Sequence, residues 1–166
     1  ILAFGCTTVE KRKIIITGIS NDPEVKLATL EFGDSTHVDT IDNGLFRFEL
    51  SEIEEGYSGL SLNNGIPLFV GPGDSLFIEY NSPNQVSISG TGFEESRYLQ
   101  SKKALVNELG FDDPRKIDSA LFSAEPTAFI SKIDSISQVR INHLDNYKNQ
   151  NAGLSGKFYN LENQLI

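Results

Sequence analysis

The sequence predicts an α+β fold, in which an antiparallel β-sandwich or barrel of about eight short strands precedes three or four helices. Eleven of the 14 glycines lie in residues 1–92, between short runs rich in β-branched and aromatic residues. Turn signals recur there about every 8–12 residues, as in sandwiches and barrels. From Phe93 onward glycine is rare and apolar residues recur at helical spacing. We therefore expect a signal-peptide remnant and tether in residues 1–10, a sandwich in 11–90 and a helical segment in 91–166.

Turn motifs rich in asparagine and glycine mark the ends of the predicted strands. Asn43-Gly44 readily adopts the positive φ angles of a type I′ turn, so a hairpin is expected that leads into the strand 45–50. The Asn-Asn-Gly stretch at 63–65 predicts a second hairpin. Pro72 and Gly73 predict a tight turn over 71–74, since proline fixes φ and glycine tolerates a positive φ. The predicted strands are residues 13–19, 25–32, 35–41, 45–50, 57–62, 66–70, 75–80 and 85–89.

Helical signals follow the last strand. Thr91 and Glu94 form a capping box, in which each side chain can bond to a backbone N–H near the other, and Gly110 is expected to end that helix. Asp113-Pro114 predicts a short helix and Pro126 begins a longer one, because proline is favoured in the first turn. A last amphipathic segment reaches the final residue without a stop signal. We therefore expect the natural chain to be truncated here at its C-terminus.

Composition excludes several classes of protein. A net charge of −9 disfavours contact with phosphate backbones, so no nucleic-acid partner is expected. Cys6 is the one cysteine, which excludes an internal disulfide, a Cys-x-x-Cys pair and a structural zinc site. No apolar run approaches the ~20 residues of a membrane-spanning helix. We expect no cofactor and no metal, and any membrane contact would come from a lipid.

The stretch Ile1–Cys6 indicates a lipoprotein signal. A short apolar run ends in Gly5-Cys6 and polar residues follow at once; in such signals the peptide is cut before the cysteine, which then carries lipid. Gly5 fits the small residue expected there, whereas the bulky Phe4 departs from the pattern. The alternative is an unmodified thiol on the first strand. Lipidation would place the protein on the periplasmic side of the cell envelope, and Thr7 in place of aspartate favours the outer membrane over the inner.

Candidate catalytic residues are sparse. Ser35, His37 and Asp39 have the composition of a hydrolase triad. On a strand they share a face but stand about 6.5–7 Å apart, beyond the roughly 2.6–3.2 Å that a nucleophile and its base require. A solvated polar face is the preferred interpretation, and we assign no catalytic residue. His143 is expected to be a surface or interface histidine.

Candidate binding residues are also few. The acidic cluster Glu52, Glu54 and Glu55 lacks the pattern of a calcium loop. Tyr57, Tyr80 and Phe77 are available to stack on a ligand, although Phe77 is expected in the core. The chain contains no tryptophan, which weakens a carbohydrate platform. We assign no cofactor-binding or metal-binding residue.

The order of several motifs resembles a known family. After the Gly5-Cys6 start come a strand ending in Thr17-Gly18, the segment Asp42–Phe48, the segment Pro67–Leu76, and Gly90-Thr91-Gly92 leading into a helix with Tyr98-Leu99. This order resembles the N-terminal region of TlpA-type thioredoxin-like periplasmic lipoproteins, over about residues 6–166 and most specifically over Pro67–Leu76. The resemblance implies a β-sandwich and helices that precede a thioredoxin-like domain carrying Cys-x-x-Cys. These 166 residues contain no such motif, so no active-site residue carries over.

The sequence leaves three possible functions to compare: an accessory domain, a binding module and an independent hydrolase. The resemblance implies a non-catalytic, membrane-tethered accessory domain that positions a redox domain or recruits its client protein or peptide. The alternative is a stand-alone lipoprotein module that binds peptide or glycan. An independent hydrolase would need the triad-like residues to converge in a cleft. An apolar patch on the last helix would favour the accessory role, and an exposed polar pocket with clustered tyrosines would favour the binding module.

We predict that the protein expressed in membranes carries a diacylglyceryl-type mass increment on Cys6. The Cys6→Ala variant should lose this increment in intact-mass spectrometry, because the lipid is attached through the cysteine sulfur. An uncleaved, soluble wild-type chain would contradict the lipoprotein assignment.

Overall fold

The computed structural model describes residues 12–51, 53–110 and 125–166, and these form the predicted α+β fold. Cys6 and the short helix predicted at Asp113-Pro114 lie outside the described residues. The strands are β1 Ile14–Ser20, β2 Leu27–Phe32, β3 Ser35–Thr40, β4 Leu45–Leu50, β5 Gly56–Ser61, β6 Gly65–Val70, β7 Ser75–Ser82 and β8 Gln85–Thr91. The helices described are α1 Glu94–Glu108, α2 Pro126–Gln150 and α3 Gly156–Gln164.

The described chain divides into two compact units. Unit 1 extends to Gly65 and resumes over Phe69–Phe93, so it contains most of the strands. Unit 2 combines Ile66–Leu68, the middle of β6, with the helical part from Glu94 onward.

The strands form two four-stranded sheets. Sheet A has the order β4-β1-β7-β8, and sheet B has the order β3-β2-β5-β6. In sheet A, β1 runs parallel to β7, whereas the pairs β1–β4 and β7–β8 are antiparallel. In sheet B, β2 is antiparallel to both β3 and β5. The sheets do not close into a barrel, so the sandwich is the form that the fold takes.

Strand β1 is the centre of sheet A. Alternate residues from Ile14 to Ser20 are buried, as period-two alternation requires when one face of a strand covers a core. Gly18 lies on the buried side, where an added Cβ would stand 2.3 Å from the backbone oxygen of Ile78 and 2.3 Å from the ring of Phe46. Only glycine therefore lets β4, β1 and β7 approach as they do.

The positive-φ turn predicted at Asn43-Gly44 is confirmed, but the hairpin is not: β3 and β4 lie in different sheets, and only the isolated β-bridge between Asp42 and Leu45 spans the turn. Asn43 has φ 50° and Gly44 has φ 81°, the positive angles of the expected turn. Asp42 and Leu45 exchange backbone hydrogen bonds of 3.2 and 2.9 Å across it. Since the turn links β3 of sheet B to β4 of sheet A, the chain changes sheets here.

Tyr98 on α1 is the centre of unit 2. Its buried ring lies 5.7 Å from the His143 ring and 5.3 Å from the Tyr147 ring, both on α2, and 5.7 Å from the Phe158 ring on α3. The contacts with Tyr147 and Phe158 are edge-on, the favourable geometry for aromatic pairs. Tyr98 of α1 therefore packs against both α2 and α3.

The cap predicted at the start of α1 is wrong. Thr91 is the last residue of β8, where it pairs with Ser75, and α1 begins only at Glu94. Glu94 instead accepts hydrogen bonds from the Tyr147 hydroxyl, at 3.2 Å on its backbone oxygen and 3.3 Å on Oε2. Strand pairing thus continues through the position that local sequence assigned to a helix cap.

We predict that Gly18→Ala lowers the free energy of unfolding by about 1–3 kcal/mol, because a new methyl group must displace a backbone oxygen and a buried ring. Urea denaturation measures the change. Gly59→Ala is the matched control on β5, since nothing lies within 4 Å of its Cβ position; it should be neutral or stabilising by about 0.4–1 kcal/mol. Equal losses in the two variants would contradict the close approach at Gly18.

Candidate functional site

An open groove of about 450 Å³ crosses the outer face of sheet A. Strand register fixes its floor: Thr17 on β1 is paired with Arg47 on β4 and with Phe77 on β7. The other lining residues are Gly18, Asp39, Thr40, Asp42, Asn43, Leu45 and Phe46. We call this the sheet A groove.

Two large apolar side chains of the groove are exposed. Phe77 is 44 % exposed and Leu45 is 56 % exposed. The expectation that Phe77 belongs to the core is therefore wrong, because alternation along β7 buries its neighbours Leu76 and Ile78 instead. Tyr80 shares their face and is fully buried, so it cannot stack on a ligand; burial raises the pKa of its hydroxyl.

Asp39 closes the outer edge of β4. Its Oδ2 accepts a hydrogen bond of 2.7 Å from the backbone N–H of Arg47, and the backbone oxygen of Asp42 accepts the N–H of Leu45 at 2.9 Å. An edge strand normally presents unpaired N–H groups to other chains. Here these two donors already have acceptors within the chain.

The triad-like residues do not converge. Ser35, His37 and Asp39 alternate along β3 as predicted, but Asp39 is engaged with β4. His37 Nε2 is buried and has no hydrogen-bond partner in the described part of the chain. Thr36, Val38 and Thr40 are exposed on the other face of β3; on the triad-like face Ser35 is also exposed, whereas His37 and Asp39 are half-buried.

Charge at the rim of the groove is largely compensated. The Arg47 guanidinium lies 3.1 Å from Glu49 Oε2, and Lys13 also contacts that carboxylate. Hydrogen bonds from Lys13 and then from Arg47 lower the pKa of Glu49. Arg47 is thus a donor-rich side chain whose charge is already paired.

A second cavity of about 410 Å³ adjoins the sheet A groove at the Asn43-Gly44 turn. Asn43 lines both cavities. The second one is lined mainly by the β1–β2 loop, including Asn21, Asp22 and Lys26. The two cavities therefore meet at Asn43.

Unit 2 contains a serine–histidine contact that the sequence does not reveal. Ser101 Oγ lies 3.0 Å from His143 Nε2 and 2.7 Å from the backbone oxygen of Tyr98. A carbonyl can only accept, so the single hydroxyl proton goes to Tyr98 and Oγ accepts from Nε2–H of His143. This is the reverse of a nucleophile activated by its base. The pair joins α1 to α2, and burial lowers the pKa of His143.

A buried ion pair lies in the same unit. Glu162 on α3 is fully buried, and its Oε2 is 2.7 Å from Lys102 Nζ on α1. Burial, and then the Glu162 charge, raise the pKa of Tyr98. Because removing one partner of a buried pair is far more costly than removing both, these two residues act as a unit.

The first half of α2 presents an apolar surface. Ile130 is 58 % exposed and Ile133 is 38 % exposed, and the half-buried Ile136 continues the same helical face. We call these three residues the α2 apolar face. On the last helix Phe158 is buried, while Leu165, just beyond its end, is exposed.

Other candidate sites are less developed. Glu54 and Glu55 are exposed, and Glu52 lies outside the described residues. Within residues 12–51, 53–110 and 125–166, no three His, Cys, Asp or Glu side chains are grouped as a metal site would require. None of the helices in those ranges is long and apolar enough to cross a membrane.

Two of the features that sequence analysis missed join residues far apart in the sequence. Ser101 and His143 are 42 positions apart, and Lys102 and Glu162 are 60 apart. Asp39 and Arg47 are closer in sequence, and the Asn43-Gly44 turn between them was a usable signal for their pairing across the turn.

Comparison with known proteins gives no match to a family model, to a curated protein or to a solved structure.

We predict that the free energy of unfolding falls as the pH falls below about 6.5, because the unfolded chain binds the His143 proton more readily than the folded chain. This contribution is complete above the unfolded-state pKa and is lost as the pH approaches the lower folded-state value. Its slope stays below ~1.4 kcal/mol per pH unit. Chemical denaturation at stepped pH measures it, and His143→Gln should remove it; an unchanged slope in that variant would contradict the assignment.

Proposed function

We propose that this chain is the non-catalytic accessory domain of a membrane-anchored periplasmic lipoprotein, and that its helical unit packs against a thioredoxin-like domain of the same protein. The observation that carries the proposal is the α2 apolar face, with Ile130 and Ile133 exposed. The lipoprotein signal at Cys6 supports the lipid anchor, and the family resemblance of the sequence supports the thioredoxin-like domain.

The α2 apolar face lies at the other end of the helix from the contacts described between α2 and its neighbouring helices. The helix has 25 residues and is therefore about 37 Å long. In the described residues, its ring contacts and side-chain hydrogen bonds to α1 and α3 involve Arg140, His143, Asp145 and Tyr147, all in its second half. Covering an isoleucine side chain fully is favourable by about 1.5–3 kcal/mol, which gives a docked domain a clear driving force.

The local chemistry supports a non-catalytic role. In unit 1 Asp39 Oδ2 accepts the backbone N–H of Arg47, and His37 Nε2 has no hydrogen-bond partner among the described residues, so no serine–histidine pair forms there. In unit 2 the Ser101 hydroxyl donates to the Tyr98 carbonyl, so His143 does not act on it as a base. Neither serine is positioned as an activated nucleophile.

The second candidate function is the stand-alone module that binds peptide or glycan. It is favoured by a different observation, the sheet A groove with its exposed Phe77. The pocket does not carry the clustered tyrosines that the sequence led us to look for, since Tyr80 is buried. The two candidates use different units, so each can be tested separately.

We predict that the double variant Ile130→Glu/Ile133→Glu weakens association with the domain that follows it by about tenfold or more, since two carboxylates would have to be buried at the contact. The coding sequence beyond Ile166 identifies that domain, and calorimetry of the two purified parts measures the affinity. Leu27→Glu, at an exposed leucine of sheet B, is the matched control and should bind as the wild type does.

Two results would overturn the accessory role. One is a coding sequence that holds no further domain. The other is association that the isoleucine double variant leaves unchanged.

A further inference from the structure

We propose that the sheet A groove binds a short, neutral oligosaccharide. The inference rests on the second candidate function and deepens it, because it names the ligand class and the residues of the site. It does not depend on the accessory role, since it uses unit 1 alone.

Phe77 supplies an apolar platform. Its ring is 44 % exposed on a rigid strand that pairs with neighbours on both sides, so the platform is held in place before a ligand arrives. A pyranose ring has one face of C–H groups, and such a face packs on the π-surface of an aromatic ring. Thr17, the next residue across the sheet, is small and leaves room for the sugar to lie flat.

The opposite wall supplies polar groups of both kinds. Asp42 brings hydrogen-bond acceptors, Arg47 brings donors, and Asn43 brings one of each. A sugar hydroxyl both donates and accepts, so this mixture matches a ring edge rather than a purely acidic or purely basic ligand. An apolar surface with a few convergent polar groups is also the general composition of a small-molecule site.

A peptide is disfavoured at this site. Extended peptides bind to sheets mainly by adding a strand to an exposed edge. At the β4 edge the N–H groups of Leu45 and Arg47 are already bonded to Asp42 and Asp39. A ligand here must therefore be held by side chains.

Charge favours a neutral sugar over an acidic one. The chain has a net charge of −9. Two carboxylates, Asp39 and Asp42, line the groove against one guanidinium, and that guanidinium is paired with Glu49. A uronate would meet repulsion that a neutral hexose does not.

The concave surface has room for more than one ring. The groove of about 450 Å³ and the adjoining cavity of about 410 Å³ are both lined by Asn43. An oligosaccharide that begins over Phe77 and extends along the groove reaches Asn43, the residue that both cavities share.

The test is NMR titration of the isotope-labelled chain with neutral trisaccharides of glucose, mannose, xylose and N-acetylglucosamine, each against trigalacturonate. We expect at least one neutral trisaccharide to shift the amide signals of Thr17, Leu45 and Phe77, with a weaker response to the uronate. Phe77→Ala should weaken that binding by at least about fivefold, as loss of an aromatic contact predicts. Asp42→Ala should weaken it as well, without altering the turn, whose hydrogen bonds are between backbone atoms.

Tyr57→Ala is the matched control, because Tyr57 is an aromatic residue of similar exposure, 42 %, on sheet B. It should bind as the wild type does. The inference is overturned if no neutral trisaccharide shifts groove signals, if the uronate binds more tightly, or if Phe77→Ala and Tyr57→Ala behave alike. None of these results bears on the isoleucine variants of unit 2, so failure here is distinct from failure of the accessory role.

Discussion

The close approach of three strands at Gly18 is the constraint on which unit 1 depends. Gly18 leaves the space into which the Phe46 ring and the Ile78 backbone oxygen fit, so β4 and β7 can both pair with β1. A parallel neighbour on one side and an antiparallel neighbour on the other make β1 the strand that joins distant parts of the sequence. On the inner face of sheet A, core groups from both neighbouring strands pack against Gly18, which has no side chain.

The outer face of the same strand defines the groove. Thr17 precedes Gly18, points to the opposite side of the sheet, and is held by register between Arg47 and Phe77. The turn at Asn43-Gly44 then brings Asp39 beside Arg47, where the Asp39 carboxylate accepts a backbone N–H at the edge of β4. The groove is therefore the outer, solvent-facing side of the same strands whose inner side covers the core. We propose ligand binding at this groove in unit 1, and domain contact at the α2 apolar face of unit 2.

Local sequence was sufficient for the strands and for the Asn43-Gly44 turn, because alternation and positive φ angles are properties of adjacent residues. Local sequence did not predict which residues are buried where consecutive residues are all apolar. The three consecutive residues Leu76, Phe77 and Ile78 are all apolar, so their hydrophobicity does not indicate which of them is buried. The pairing of β7 with β1 determines that Leu76 and Ile78 face the core and Phe77 faces solvent. Local sequence also failed at Thr91, where strand pairing overrode a capping signal. The contact of Ser101 with His143 depends on the packing of two helices around Tyr98, which no local pattern encodes.

The measurement that tests this account most directly is a crystal structure of the protein grown with a saturating neutral trisaccharide. The account predicts a sugar ring stacked on Phe77 above Thr17, with hydroxyls bonded to Asp42 or Arg47 and the next ring directed toward Asn43. An empty groove at saturating ligand, or a sugar seated only elsewhere on the molecule, would contradict it.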